Sequence, residues 1–299
     1  MTNQQNSTDE VIEKEINPMI ESFAQKKKVQ GKMTKIKHKI MIMSGKGGVG
    51  KSTVTANLAT ALAKKGYKVG ILDSDIHGPS IPKILGIQGK HLKPTETGFY
   101  PITTKQGVKV ISMDLLLLDS ETPLIWRGPL KMKAIRQLLS DAEWGELDYL
   151  LIDLPPGTGD EPLNIMQLMP EMDGAIIITA PSDLSQYVVR KAVSMARKMN
   201  IPIIGIIENM SGFVCPNCGE KYDILGSGGG KKISEEMNLN FLGQIPIDPK
   251  ITENTDQGTP FIINDPESQA AKVFNEIVQK IQKTVEEDKK QIKSKKHKK

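Results

Sequence analysis

The chain is expected to be an α/β protein: a doubly wound, mostly parallel sheet with helices on both faces. Two observations predict this class. Short runs rich in Ile, Leu, Val and Met are continuously apolar rather than alternating, as strands buried on both faces are. Segments of helical periodicity lie between them, and strand–helix alternation is the pattern of parallel sheets. A third observation marks where the sheet is used. Gly45-Lys46-Gly47-Gly48-Val49-Gly50-Lys51-Ser52-Thr53 fits the P-loop pattern G-x-x-x-x-G-K-[ST] at every specified position.

The elements follow in order. Residues 1–35 are polar and lysine-rich, with only Val11, Ile12 and Ile16 hinting at a short amphipathic helix, and read as a mobile arm. The folded domain is expected over 36–285. Its first strand, Lys39 to Ser44, enters the P-loop, and Thr55 to Ala63 continues from it as a helix. Lys68 to Asp75 reads as a strand ending in two acids, and Val108 to Met113 as another. Trp126-Arg127-Gly128-Pro129 leads into a helix carrying Ile135, Leu138 and Leu139. Tyr149 to Asp153 is a buried strand, followed by Leu154-Pro155-Pro156-Gly157-Thr158-Gly159-Asp160. Further strands are expected at Gly174–Thr179, Ile203–Glu208 and Phe241–Ile245, with a helix over Ser185–Met199. The last helix, Glu267 to about Val285, places Ala270, Phe274, Ile277, Val278 and Ile281 on one face. Residues 286–299 read as a lysine-rich disordered tail.

Composition narrows the class of protein. With 38% hydrophobic and 25% charged residues in 299, the chain is ordinary for a soluble globular protein, and 4% aromatic content implies an aliphatic core. No run approaches the ~18 apolar residues of a membrane span, and Met1 to Ser22 has no apolar signal-peptide core. A cytoplasmic protein is expected. The net charge of +5 is outweighed by seven tail lysines (289, 290, 293, 295, 296, 298 and 299), so the folded body is slightly acidic and no specific nucleic-acid face is implied.

Chemistry concentrates at strand ends. The loop between strand and helix is an anion site, because unpaired backbone N–H groups converge there. Gly45, Gly47, Gly48 and Gly50 let the backbone approach phosphate; Lys51 is expected at the β/γ-phosphates of ATP and Ser52 on Mg²⁺. Asp153 ends an apolar strand, the position that holds Mg²⁺. Asp73 and Asp75 sit two apart at another strand end, on the same face of that strand. Asp75 is expected to orient or activate the attacking water, and Asp73 to support Mg²⁺ from behind its ligands. His77 reads as a loop residue without chemistry of its own.

Two cysteines, Cys215 and Cys218, are the whole supply. C-x-x-C alone fits a redox pair, half a zinc site or half an iron–sulfur site. The pair lies in a loop after a strand rather than at a helix start, and a metal centre wants about four thiolates where one chain offers two. A symmetric homodimer would supply four.

Lys46, directly after the first glycine, is not required by an ordinary P-loop. Lys-Gly-Gly-Val-Gly-Lys-Ser resembles the deviant Walker A of MinD-like ATPases, and the resemblance implies that Lys46 reaches the partner's phosphates in a nucleotide-sandwiched homodimer. Together with Asp-Ile-His-Gly-Pro-Ser, Trp-Arg-Gly-Pro, Asp-Leu-Pro-Pro-Gly-Thr-Gly-Asp, Glu-Asn-Met-Ser and the C-x-x-C, residues 36–285 resemble the Mrp/ApbC/Nbp35 family of iron–sulfur cluster carriers. The resemblance implies a P-loop ATPase with slow intrinsic hydrolysis. It implies a transferable [4Fe–4S] cluster on Cys215 and Cys218 between two subunits, with apo iron–sulfur proteins as recipients. It also places switch loops after Asp73 and Asp153 and an adenine contact at Asn209, with Asp248 and Pro249 completing the base pocket. The chain departs from the eukaryotic Nbp35 type, whose N-terminal arm carries four cysteines, and from bacterial members with a small N-terminal domain. Two alternatives stay open on the residues alone: a MinD/ParA-type positioning ATPase with a basic foot, and an ATPase whose cysteines form a structural intersubunit zinc clamp.

Overall fold

A computed structural model describes residues 24–116, 128–169, 171–215 and 218–296. Trp126, Arg127 and the chain before residue 24 lie outside the described residues, so the expectations placed on them have no structural counterpart here. In chain order the helix 24–33 (α1) is followed by β1 (Ile36–Ser44), α2 (Lys51–Lys64), β2 (Val69–Asp73) and α3 (Ile81–Ile84). Three two-residue strands, β3 (Lys93–Pro94), β4 (Phe99–Tyr100) and β5 (Ile102–Thr103), precede β6 (Lys109–Ser112). The rest runs α4 (Gly128–Asp141), β7 (Leu147–Asp153), α5 (Asp160–Leu168), β8 (Gly174–Thr179), α6 (Asp183–Lys198), β9 (Ile203–Val214), β10 (Lys221–Tyr222), α7 (Gly229–Glu236), β11 (Phe241–Ile247), α8 (Pro249–Asp256), α9 (Phe261–Asn264) and α10 (Gln269–Lys296).

The main sheet is mostly parallel, as expected. From β5 the order is β5-β6-β2-β7-β1-β8-β9, with β11 parallel to β9 and β10 antiparallel to its last residues. All six residues of β8 and all five of β2 are buried, which requires both faces of the sheet to be covered. Helix α2 is buried nearly all round, and Ala56, Ala59 and Ala61 let it nestle between β1, β2 and α10. The strand order reverses about β1, so the carboxyl end of β1 opens a crevice at the point where α/β sheets bind ligands.

Three boundaries differ from the sequence reading. The arm expected over 1–35 is corrected for residues 24–33, which form α1 docked on the domain: Val29 and Met33, one turn apart, are buried, while Lys28 pairs with Asp141 at 2.8 Å and Lys32 with Glu143 at 2.7 Å. Two apolar residues in a polar run are too weak a periodic signal to predict this. The strand expected at Ile203–Glu208 runs on to Val214, because β10 and β11 supply partners for its far end. The last helix does not stop near Val285 but continues to Lys296, so the expected disordered tail is corrected over 286–296. Its expected buried face is present, with Phe274 packed edge-to-face on Phe261 at 5.1 Å.

Candidate functional site

The P-loop runs from the end of β1 to the start of α2, and two of its glycines are required by the backbone. Gly48 and Gly50 both have φ near +76°, the left-handed region that residues with a Cβ avoid. At Gly50 a Cβ would also collide with the Asn209 side chain. Gly45 is held for a different reason: a Cβ there would stand 2.6 Å from the Val188 carbonyl of α6. The loop walls a cleft of about 240 Å³, lined by Lys46 through Thr53 and closed by Asp75, Gly78, Ser80 and Pro156. The residues expected from the P-loop pattern and the first acidic loop therefore meet in one place.

Behind this cleft lies a buried polar cluster built by register. In parallel pairing Asp73 of β2 stands beside Asp153 of β7. Asp153 Oδ2 accepts from Lys51 Nζ at 2.6 Å and from Ser52 Oγ at 2.6 Å, while Oδ1 accepts from Thr55 Oγ1 at 2.7 Å. Burial, and then the neighbouring Asp153 charge, push the Asp73 carboxyl well above the usual carboxylate range, against the opposing pull of Lys51. Ser112 Oγ donates to Asp73 Oδ2 at 3.1 Å. Sequence reasoning missed Thr55 and Ser112. Thr55 sits one helical turn after Lys51, so the spacing alone could have found it; Ser112 is brought in by sheet pairing.

Asp75 reaches the cleft by a different route from the one expected. β2 ends at Asp73, so the strand alternation that would place both acids on one face does not extend to Asp75. Its carboxylate instead accepts from the His77 and Gly78 backbone N–H groups, each at 3.2 Å, a local turn that sets the loop's direction. His77 Nε2 lies 3.4 Å from Glu161 Oε1, linking this loop to the start of α5 after the Leu154–Gly159 loop.

Asn209 is buried, and its amide nitrogen donates to the Val49 carbonyl at 2.9 Å, tying β9 to the P-loop. Asp248 caps α8, its carboxylate accepting from Lys250 N at 3.0 Å.

Cys215 follows β9 directly and Cys218 lies just before β10, which pairs back on Val214 and Phe213, so the two cysteines stand where a β-ribbon doubles back rather than in a plain loop. The turn closes through Gly219 N to Cys215 O at 2.9 Å and Cys215 N to Glu220 O at 2.9 Å, with Gly219 at φ +73°. Cys218 is exposed and Cys215 half-buried. The exposed Tyr222 lies on β10, and the exposed Ile224 and Leu225 follow it.

No helix among the described residues is long and apolar enough to cross a membrane. The family model described as ParA: NUBPL iron-transfer P-loop NTPase matches residues 35–282. An iron–sulfur cluster carrier protein of Methanocaldococcus jannaschii is 56% identical over 259 residues, spanning 87% of this chain and 89% of that protein. A cytosolic Fe–S cluster assembly factor NUBP2 homolog of Dictyostelium discoideum is 48% identical over 240 residues, covering 79% and 91%. Among solved structures, a nucleotide-binding protein of Archaeoglobus fulgidus in complex with ADP, with cobalt found in it, superposes with a TM-score of 0.70 at 42% identity, covering 79% of this chain and 92% of that one. The cell-division ATPase MinD of Pyrococcus furiosus superposes with a TM-score of 0.63 at 27% identity, covering 83% and 99%.

Proposed function

This chain belongs to the ParA family of NUBPL iron-transfer P-loop NTPases, and on that premise we propose that it is an ATP-hydrolysing carrier of iron–sulfur clusters. The observation that carries this reading is the placement of the chain's only two cysteines. Half-buried Cys215 and exposed Cys218 stand where a ribbon that grows from β9 doubles back, and β9 is the same strand that touches the P-loop through Asn209.

ATP is read as occupying the cleft beside Gly45–Thr53. The loop N–H groups and Lys51 would bind its phosphates, and the carboxamide oxygen of Asn209, whose nitrogen is committed to Val49, would accept from the adenine amine. Ser52 and Asp153 offer hard oxygen donors, with Asp73 behind them, and this set suits Mg²⁺. Bound there, Mg²⁺ would neutralise charge on the phosphates. Asp75 would orient the water that attacks the γ-phosphorus, the bond to the β-phosphate oxygen breaking to release ADP. Lys46 of the partner subunit would complete the charge stabilisation across a homodimer, so one chain alone would hydrolyse ATP slowly.

Two thiolates per chain make half of the set a cluster prefers, so two ribbons would hold one [4Fe–4S] cargo between subunits. An exposed, shared site with few ligands per chain suits hand-over to apo proteins in the cytoplasm. The test is anaerobic reconstitution with iron and sulfide, comparing wild type with Cys215→Ala. A broad band near ~400 nm with about four irons per dimer, lost in the variant and transferable to an apo acceptor, is expected. Colourless protein holding about one tight zinc per dimer would overturn the carrier reading in favour of a structural clamp.

A further inference from the structure

The two candidate sites are joined by six residues of β9. Asn209 donates to the P-loop carbonyl of Val49, and Val214 leads directly into Cys215. The strand between them is bent. Met210 has φ +59° and Gly212 φ +70°, and the pairing with β11 shifts register between Ile245 and Ile247. A side-chain-bearing residue in the left-handed region costs about 1 kcal/mol or more, so surrounding contacts must hold it.

Glu208 supplies those contacts. Its side chain is fully buried, with Oε1 accepting from Gly228 N at 2.8 Å, Gln244 Nε2 at 3.0 Å and the Ser211 hydroxyl, and Oε2 accepting from Gly230 N. One carboxylate therefore grips β9 on both sides of Met210, and fastens it to β11 and to the N-terminal turn of α7, through the cap Gly228 and the helical Gly230. The segment leading into α7 in turn braces the base of the ribbon, where Gly212 N donates to Gly226 O at 3.3 Å. A Cβ on Gly230 would come within 2.9 Å of Glu208 Cβ, so this first turn of α7 must carry glycine to approach the carboxylate.

We propose that Glu208 is a positioning residue that makes the 208–214 segment a rigid link, so that nucleotide in the cleft and metal on Cys215 and Cys218 alter each other's affinity. The proposal rests on reading the cysteines as metal ligands. A slack segment would absorb any shift of Asn209. A clamped one passes it to the cysteine turn, and such coupling is reciprocal.

The experiment measures ADP affinity by calorimetry in Mg²⁺, for chelator-treated full-length protein and for protein loaded anaerobically with iron and sulfide. The same pair of measurements is made for Glu208→Gln, which turns one accepting oxygen into a donor facing backbone N–H groups, and for Ser211→Ala. Wild type is expected to show loaded and unloaded affinities differing at least about five-fold. That ratio should fall to about one in Glu208→Gln and to an intermediate value in Ser211→Ala, which also carries the test if Glu208→Gln does not fold. Equal affinities in wild type would overturn the link. So would an unchanged ratio in variants that merely melt at lower temperature, the signature of a purely structural glutamate. Protein that takes up no iron is loaded with Zn²⁺ instead, so failure of the carrier reading is registered separately from failure of the link.

Discussion

Lys51 Nζ and Asp153 Oδ2 stand 2.6 Å apart, both shielded from solvent, so the cation of the P-loop is held by an acid 102 positions later in the chain, at the end of β7, which pairs directly with β1. Removing one partner of such a buried pair leaves an uncompensated charge, at a cost of about 3–5 kcal/mol. Lys51→Ala should therefore lower the melting temperature by several degrees without any nucleotide present, and Lys51→Met combined with Asp153→Asn should recover part of the loss. ADP should stabilise wild type in thermal melts and leave Lys51→Ala unmoved, while metal uptake by Cys215 and Cys218 persists. A Lys51→Ala protein as stable as wild type would show that Ser52 and Thr55 suffice to hold the carboxylate.

Gly50→Ala is expected to damage the same site through the backbone. The residue would need a left-handed φ of +76° and would push its Cβ into Asn209. Loss of ADP binding with an intact far-ultraviolet circular dichroism spectrum is the expected result; ADP binding at wild-type strength would contradict the collision.

Lys46 lines the cleft without a part in the Asp153 cluster. Lys46→Ala should leave ADP binding within about two-fold of wild type, because a lysine directed at the partner's phosphates adds little to ground-state binding in its own chain, yet reduce turnover at least about ten-fold, as loss of a trans-acting cation does. Turnover independent of protein concentration, and equal in wild type and variant, would remove the need for a partner's lysine.

The docking of α1 makes a pH prediction. Partial burial pushes the Asp141 carboxyl up, but hydrogen bonds from Lys28 and Ser140 outweigh it and leave it below the usual range; the Lys32 hydrogen bond draws Glu143 down as well. Carboxyls lowered in the folded state contribute stability that is present above their unfolded values, near ~4, and is lost as pH falls through the folded values. Each pair is partly exposed and worth about 0–1 kcal/mol. Amide hydrogen exchange over residues 24–33 should therefore quicken relative to β1 as the pH-corrected rate is followed below about pH 4, and Lys28→Ala with Lys32→Ala should produce the same opening at pH 7. Unchanged protection in the double variant would assign the docking to Val29 and Met33 alone.

The P-loop was legible because its chemistry is local: each glycine, Lys51 and Ser52 act within nine consecutive residues, between an apolar strand and a helix rich in Ala and Leu. Asp153 was legible for the same reason, as the acid closing a run of apolar residues. Asp75 was found for a partly wrong reason, since a turn made by its own carboxylate, not strand alternation, directs it to the cleft.

By itself the sequence determined the α/β class, the nucleotide loop, the acids at the strand ends and the supply of two thiols. These follow from short-range pattern, where periodicity and spacing act through the backbone next door. Only the tertiary structure decided that Asp73 lies beside Asp153, that Ser112 hydrogen-bonds to the first and that Thr55 supports the second. It alone showed β9 running on to the cysteine turn, with Glu208 gripping both sides of its bend. Those relationships are set by which strands become neighbours and in what register, and residues brought together from 20 to 100 positions apart leave no periodic mark on a single chain.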